Sequence, residues 1–221
     1  AKIEAGSRMI VALLAIMVGA AILSGLEMIY YDVPRQMSAQ FRSYGANIIL
    51  MPEDGQYISE ESLEESVAHF PASELEGYTG YRYENTSVHN MPVTLAGIDF
   101  SSILKTSPYW HLSGDLPSAD GEALVGAKVA ESLGIKEGDT VSCINHFEIT
   151  DGMDTSNIED YEMIEDPATG EKYADHMLDL KVTAILDTGG SEEEYVYISY
   201  TDLEYLTLTT RGYDIDRKSV V

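Results

Sequence analysis

The chain has 221 residues, a sequence pI near 4.2 and a formal net charge of -25. A surface that acidic repels nucleic-acid phosphates and anionic headgroups alike, so binding nucleic acid through a basic groove is excluded. A single cysteine, Cys143, excludes an internal disulfide and any cysteine zinc cluster.

The first element is the run Met9–Ile29, which holds no charge until Glu27. As a helix it rises about 31 Å, roughly the hydrocarbon thickness of a bilayer. Tyr30 and Tyr31 follow where an interfacial aromatic belt belongs. The apolar run continues past the small-residue site Gly19-Ala20-Ala21 through Ile22, Leu23 and Leu26, which argues against a cleaved signal peptide. Residues 1–34 are therefore read as a transmembrane helix with its flanks, embedded in the lipid bilayer. Lys2 and Arg8 on one side balance Arg35 and Arg42 on the other. Arg8 abuts the run directly and Asp32 precedes Arg35, which tilts the N-terminus toward the cytoplasm.

Residues 35–221, carrying nearly all the net charge, form the folded domain, extracytoplasmic in this orientation. Met37, Phe41 and Tyr44 recur at helical period behind Pro34 and predict a stalk helix ending at Gly45, with Pro34 as its flexure. Ala46–Met51 reads as a buried strand stopped by Pro52. Ser59 caps a helix whose apolar face is Leu63, Val67 and Phe70. Tyr78–Val88 and Pro92–Ile98 read as strands joined by a turn at Asn90. His111, beside Trp110, reads as a packed loop residue.

Gly121–Val125 is a short strand. Ala127–Leu133 is a small helix with Gly134 beyond its C-terminus, and Thr140–Ile149 is a strand. The segment 144–179 holds eleven acidic residues against Lys172 alone and lacks an apolar period. It reads as an acidic loop insertion. Asp151, Asp154 and Asp160 with His146 or His176 could gather a cation there, although the EF-hand spacing is missing. Leu180–Leu186 and Tyr195–Ser199 are strands, Thr201-x-x-Glu204 fits a capping box, and Tyr213–Val221 begins a last strand left with an unmet edge.

No reaction chemistry assembles. Gly121–Lys128 misses the phosphate-loop pattern, because the lysine is one place late and Val129 replaces the hydroxyl. GxSxG and GxGxxG do not occur. The reading assigns no catalytic, cofactor-binding or metal residue, no cofactor and no enzymatic activity. The fold class is α+β: one N-terminal transmembrane helix continuing into a stalk, then a mixed α/β extracytoplasmic domain of two lobes.

Four stretches in this order carry a resemblance: Phe41–Pro52 (FRSYGANIILMP), Trp110–Pro117 (WHLSGDLP), Gly121–Val141 (GEALVGAKVAESLGIKEGDTV) and Leu180–Gly190 (LKVTAILDTGG). Together they resemble the MacB-type, FtsX-like family of ABC transporter permeases, in the part made of the first membrane helix and the extracytoplasmic core domain. The 144–179 segment is longer than the family's, a departure that puts contacts from that side in doubt. The resemblance implies a permease subunit that forms a homodimer or heterodimer and couples to a separate cytoplasmic ABC ATPase subunit. It implies an extracytoplasmic adaptor or substrate protein, with ATP hydrolysis driving export or mechanotransmission. It carries over no catalytic residue, and three further membrane helices would follow the core domain. The competing readings are a membrane-tethered sensor or ligand-binding module and an extracytoplasmic enzyme using the acidic loop as metal site.

Overall fold

The computed structural model describes residues 2–27, 46–53, 56–148, 161–165, 167, 169–170 and 172–220. The predicted stalk with Pro34, and Asp151, Asp154 and Asp160 of the acidic segment, lie outside them. The chain divides into two units, Ala1–Tyr44 and Gly45–Val221.

The first unit contributes helix α1 (Lys2–Glu27). Ile16, Met17 and Leu23 stand open to the surroundings, 67%, 64% and 70% exposed. Among the described residues no helix is long and apolar enough to cross a membrane.

The second unit is built on one mixed sheet. In chain order its elements are β1 (Ile48–Leu50), α2 (Glu60–Ala68), β2 (Leu75–Val88), β3 (Met91–Gly97), α3 (Ile103–Thr106), β4 (His111–Gly114), β5 (Glu122–Gly126), α4 (Ala127–Leu133), β6 (Thr140–Glu148), β7 (Tyr161–Glu165), β8 (Lys172–Asp187), β9 (Tyr195–Ile198), α5 (Tyr200–Thr207) and β10 (Ile215–Val220). A 3-10 turn, Ser191–Glu194, leads into β9. The strands run β1-β10-β2-β3-β9-β5-β8-β4, with β6 pairing β2 and β8, and β7 pairing β8. β3 and β9 are parallel, as are β5 and β8; the other pairings are antiparallel.

Local sequence explains the joints. β2 and β3 form a hairpin whose two turn residues, His89 and Asn90, have φ of 51° and 61°. A two-residue hairpin matches strand twist only with both residues left-handed, a conformation that His and Asn visit more readily than most. Ser59 caps α2, its Oγ accepting from Ser62 N at 3.1 Å. Gly134 ends α4 at φ 69°.

Each sheet face has its own core. Val88, Leu95, Val125, Leu180, Leu203 and Leu206 pack among the buried residues on the face that α4 and α5 cover. Tyr81, Ile98, Ile103, Trp110, Leu186 and Tyr197 fill the other. Each fully buried Leu or Ile contributes roughly 2 kcal/mol.

Five expectations are corrected. Gly45–Val221 is one unit rather than two lobes, because β2 runs through both halves of the sheet, pairing β10 from Leu75 to Tyr81 and β3 from Arg82 to Val88. The 144–179 segment is not simply a loop: β6 continues to Glu148, β7 spans Tyr161–Glu165 and β8 starts at Lys172. Ladder pairing organises it where apolar periodicity does not. The strand at Ala46–Met51 shrinks to β1, an edge strand with Ile49 55% exposed, since it pairs only β10. The α5 cap is Ser199 rather than Thr201, with Ser199 Oγ accepting from Asp202 N at 3.0 Å. β10 has no unmet edge, because it lies between β1 and β2.

Gly126 shows how tightly the α4 end is packed. A Cβ there would lie 2.2 Å from the Glu193 carbonyl oxygen. Glu193 cannot retreat, because its buried carboxylate accepts from Thr188 N at 2.8 Å and from Gly189 N. Gly126→Ala is expected to lower the unfolding free energy by about 1–3 kcal/mol, read from urea denaturation followed by Trp110 fluorescence. A change within 0.5 kcal/mol, on the order of ordinary surface substitutions, would contradict this account.

Candidate functional surface

The side chains that could carry chemistry do not converge. His69 Nδ1 lies 2.8 Å from Glu65 O, and His89 sits in the hairpin turn. His111 is exposed at the start of β4, not packed in a loop as its sequence neighbours suggest. His146 pairs with Asp175 across the β6–β8 ladder, while His176 is buried against the Tyr205 ring at 4.7 Å. Among the described residues no group of three His, Cys, Asp or Glu is placed to hold a metal ion. Lys128, the near miss of the phosphate loop, gives its ammonium to Glu194 at 2.9 Å. Burial pushes the Cys143 thiol up to about 12, with the Asp179 carboxylate adding to it, so this thiol is inert near neutrality.

The basic side chains of the last strand and its approach are occupied in holding the fold. Arg82, 1% exposed, donates from Nη1 to Glu204 Oε1 at 3.1 Å and from Nη2 to the Thr209 carbonyl. Arg211 donates to Glu84 Oε1 at 2.7 Å, to both carboxylate oxygens of Asp214 at 3.0 Å and to Tyr83 O at 2.7 Å. Its guanidinium also lies 4.2 Å from the Tyr57 ring centre. Lys218 and Asp216 form an ion pair with both side chains 0% exposed. Burial pulls the Lys218 ammonium down to about 8. Arg82 straps α5 to β2, and Arg211 ties the approach to β10 onto the same strand. The Glu193 carboxylate is held below the usual range by the N–H groups of Thr188 and then Gly189. Its folded-state pKa is depressed, so its stabilisation is present at neutral pH and lost as pH falls through that lowered value.

An accessible groove of about 360 Å³ lies between α2 and α3. Its floor is β2 from Leu75 to Gly80, and Leu63, Tyr200 and Tyr213 form its walls. Tyr200 and Tyr213 meet edge to face at 5.4 Å, and the Tyr200 hydroxyl donates to Gly80 O at 2.7 Å. A shallower depression of about 750 Å³ shares Glu60, Asp99, Tyr200 and Tyr213 and extends to Asp120. Glu60, Glu64, Glu76, Asp99 and Asp120 line the two, against Lys105 alone. Such a surface can bind a cationic group between aromatic walls.

Sequence reasoning missed both features. Arg82, Lys218 and Asp216 lie in strands that it placed, but a polar residue in a strand ordinarily faces water. The groove depends on where β3 leaves β2, which no local pattern records.

The model of the family described as MacB-like periplasmic core domain matches residues 9–217. No curated protein sequence matches the chain. Among solved structures, the chain is similar to the extracellular domain of the noncanonic ABC-type transporter YknZ from Gram-positive bacteria, at 13% identity and TM-score 0.48, covering 78% of this chain and 81% of that one. It is likewise similar to the periplasmic region of MacB from Actinobacillus actinomycetemcomitans, at 13% identity and TM-score 0.47, covering 80% of this chain and 76% of that one. On the match over residues 9–217, the chain belongs to the family of MacB-like periplasmic core domains.

Proposed function

We propose that the chain is part of an ABC transporter permease, with α1 crossing the membrane and Gly45–Val221 folded outside it. The observation that carries this reading is the family match, which begins at Met9, inside α1, and runs through the sheet domain to Arg217. The uncharged run from Met9 to Leu26 supports the membrane assignment, as do the exposed apolar side chains of α1. The permease works as a dimer with a separate cytoplasmic ATPase. Displacement driven by ATP passes along the helix to the outer domain, which acts on a substrate or partner protein there. ATP hydrolysis belongs to the separate subunit and not to this domain.

ATP turnover tests this. The full permease, purified from membranes with an affinity tag, is expected to bring down an ATPase subunit and to hydrolyse ATP only in that subunit's presence. ATP turnover by this chain alone, or a permease that recruits no ATPase, would overturn the proposal. The second outcome would favour the membrane-tethered sensor.

A further inference from the structure

The groove between α2 and α3 lies along an open edge of the sheet. β3 pairs β2 only as far as Arg82 opposite Gly97, and then turns away into the Asp99–Ser102 turn. On that side, the Leu75–Tyr81 half of β2 has no strand neighbour among the described residues; β10 covers only its other side. Backbone groups along a strand alternate between its two edges. Here Tyr81 O accepts from Asp214 N and Tyr83 N donates to the Asp214 carboxylate, so the odd-numbered residues serve the β10 side. Gly80 O faces the opposite way and accepts from the Tyr200 hydroxyl. By the same alternation, the N–H and C=O of Tyr78 point into the groove, and Tyr78 is exposed; at Glu76 the β2–β10 register shifts by one residue and the alternation ends.

We propose that this edge receives an added strand: a short, extended, basic segment of another protein, pairing with Tyr78–Gly80 in the groove. An unpaired edge is a template for strand addition, in which main-chain bonds supply affinity and alternate side chains supply selectivity. The length suits a core of about three paired residues at roughly 3.3 Å each. The rim sets the sign of the partner. Glu60, Glu64, Glu76 and Asp99 surround the slot against Lys105, so Lys or Arg at alternate positions reaches carboxylates. A second copy of this chain is a poor occupant, since each copy carries a net charge of -25. The inference does not depend on α1 crossing a bilayer.

The test is hydrogen exchange on the full chain in detergent micelles, with a capped heptapeptide of alternating Lys and Val and its Glu–Val counterpart as probes. The Tyr78 amide is expected to exchange freely in the unliganded chain. The Lys–Val peptide should protect it saturably, and the Glu–Val peptide should not. Tyr78→Pro removes an edge donor while leaving the β10 ladder in place, and should weaken binding about tenfold or more. Should that variant misfold, the charge reversal Glu64→Lys, at an exposed helix position, should weaken the Lys–Val peptide in the same direction. The proposal is overturned if the Tyr78 amide is protected without peptide, whether by this chain's own residues or, in a concentration-dependent way, by a second copy. It is overturned equally if the Lys–Val peptide does not bind, or if both peptides bind alike.

Discussion

Lys218→Met is expected to lower the unfolding free energy by about 3–5 kcal/mol. Lys218 and Asp216 point to the same side of β10, two residues apart, and neither side chain has exposed surface. Asp216 Oδ1 is already buried without a hydrogen-bond partner, so its charge depends on the Lys218 ammonium. Removing that ammonium leaves a carboxylate in a water-free site. The cost is the desolvation of an unpaired ion, which exceeds any loss of packing, since Met nearly matches the lysine stem in volume. The double variant Asp216→Leu with Lys218→Met removes both charges and should recover most of the loss, because an apolar pair escapes the desolvation penalty altogether. Urea denaturation followed by the fluorescence of the single tryptophan, Trp110, measures both. A single variant within 1 kcal/mol of wild type, or a double variant no better than the single one, would show that the pair is hydrated and not structural.

Met17→Arg is expected to release the chain from the membrane. Met17 lies at the middle of the uncharged run from Met9 to Leu26. A charge at the centre of a membrane helix costs about 3 kcal/mol on insertion scales, roughly a hundredfold in the inserted fraction. The effect should depend on depth, so Ser7→Arg, outside the run, should leave insertion unchanged. Recovery in the carbonate-resistant membrane fraction gives the readout. A helix buried in a water-soluble assembly would also lose stability on Met17→Arg, but the wild-type chain would then extract with carbonate.

Much of the domain was legible because its joints are local. Ser59, Gly134 and the His89–Asn90 turn act through their own backbone, and sequence records that directly. The 144–179 segment reads as a loop because Glu148, Glu162, Glu165, Asp175 and Asp179 sit on paired strands, with His146 opposite Asp175 and Glu148 opposite Tyr173. Ladder hydrogen bonds are indifferent to side-chain charge, so a strand of this kind carries little hydrophobic signal. The inward pair of β10 reversed the usual rule for a related reason. Asp216 and Lys218 satisfy one another across a single intervening residue, so an apolar face need not be apolar in sequence. Thr201 and Glu204 matched the capping pattern, yet the hydroxyl two residues earlier took the position. Asp202, which would complete a box with Ser199, instead accepts from Gly121 N at 2.9 Å and ties α5 to the start of β5. The groove was invisible because it is made by an absence of pairing at one end of β2, a property of topology alone.

The most direct test of the account is the sidedness of the two units across the membrane. Cys143 is buried and its thiol pKa is raised to about 12, so it provides a silent background for introduced cysteines. Ser7→Cys and Ser191→Cys, expressed separately in sealed spheroplasts, are challenged with a membrane-impermeant maleimide. The account predicts that the cysteine at position 191 labels at once and that the one at position 7 labels only after lysis. Equal labelling of both before lysis would contradict it, as would protection of the cysteine at position 191 alone.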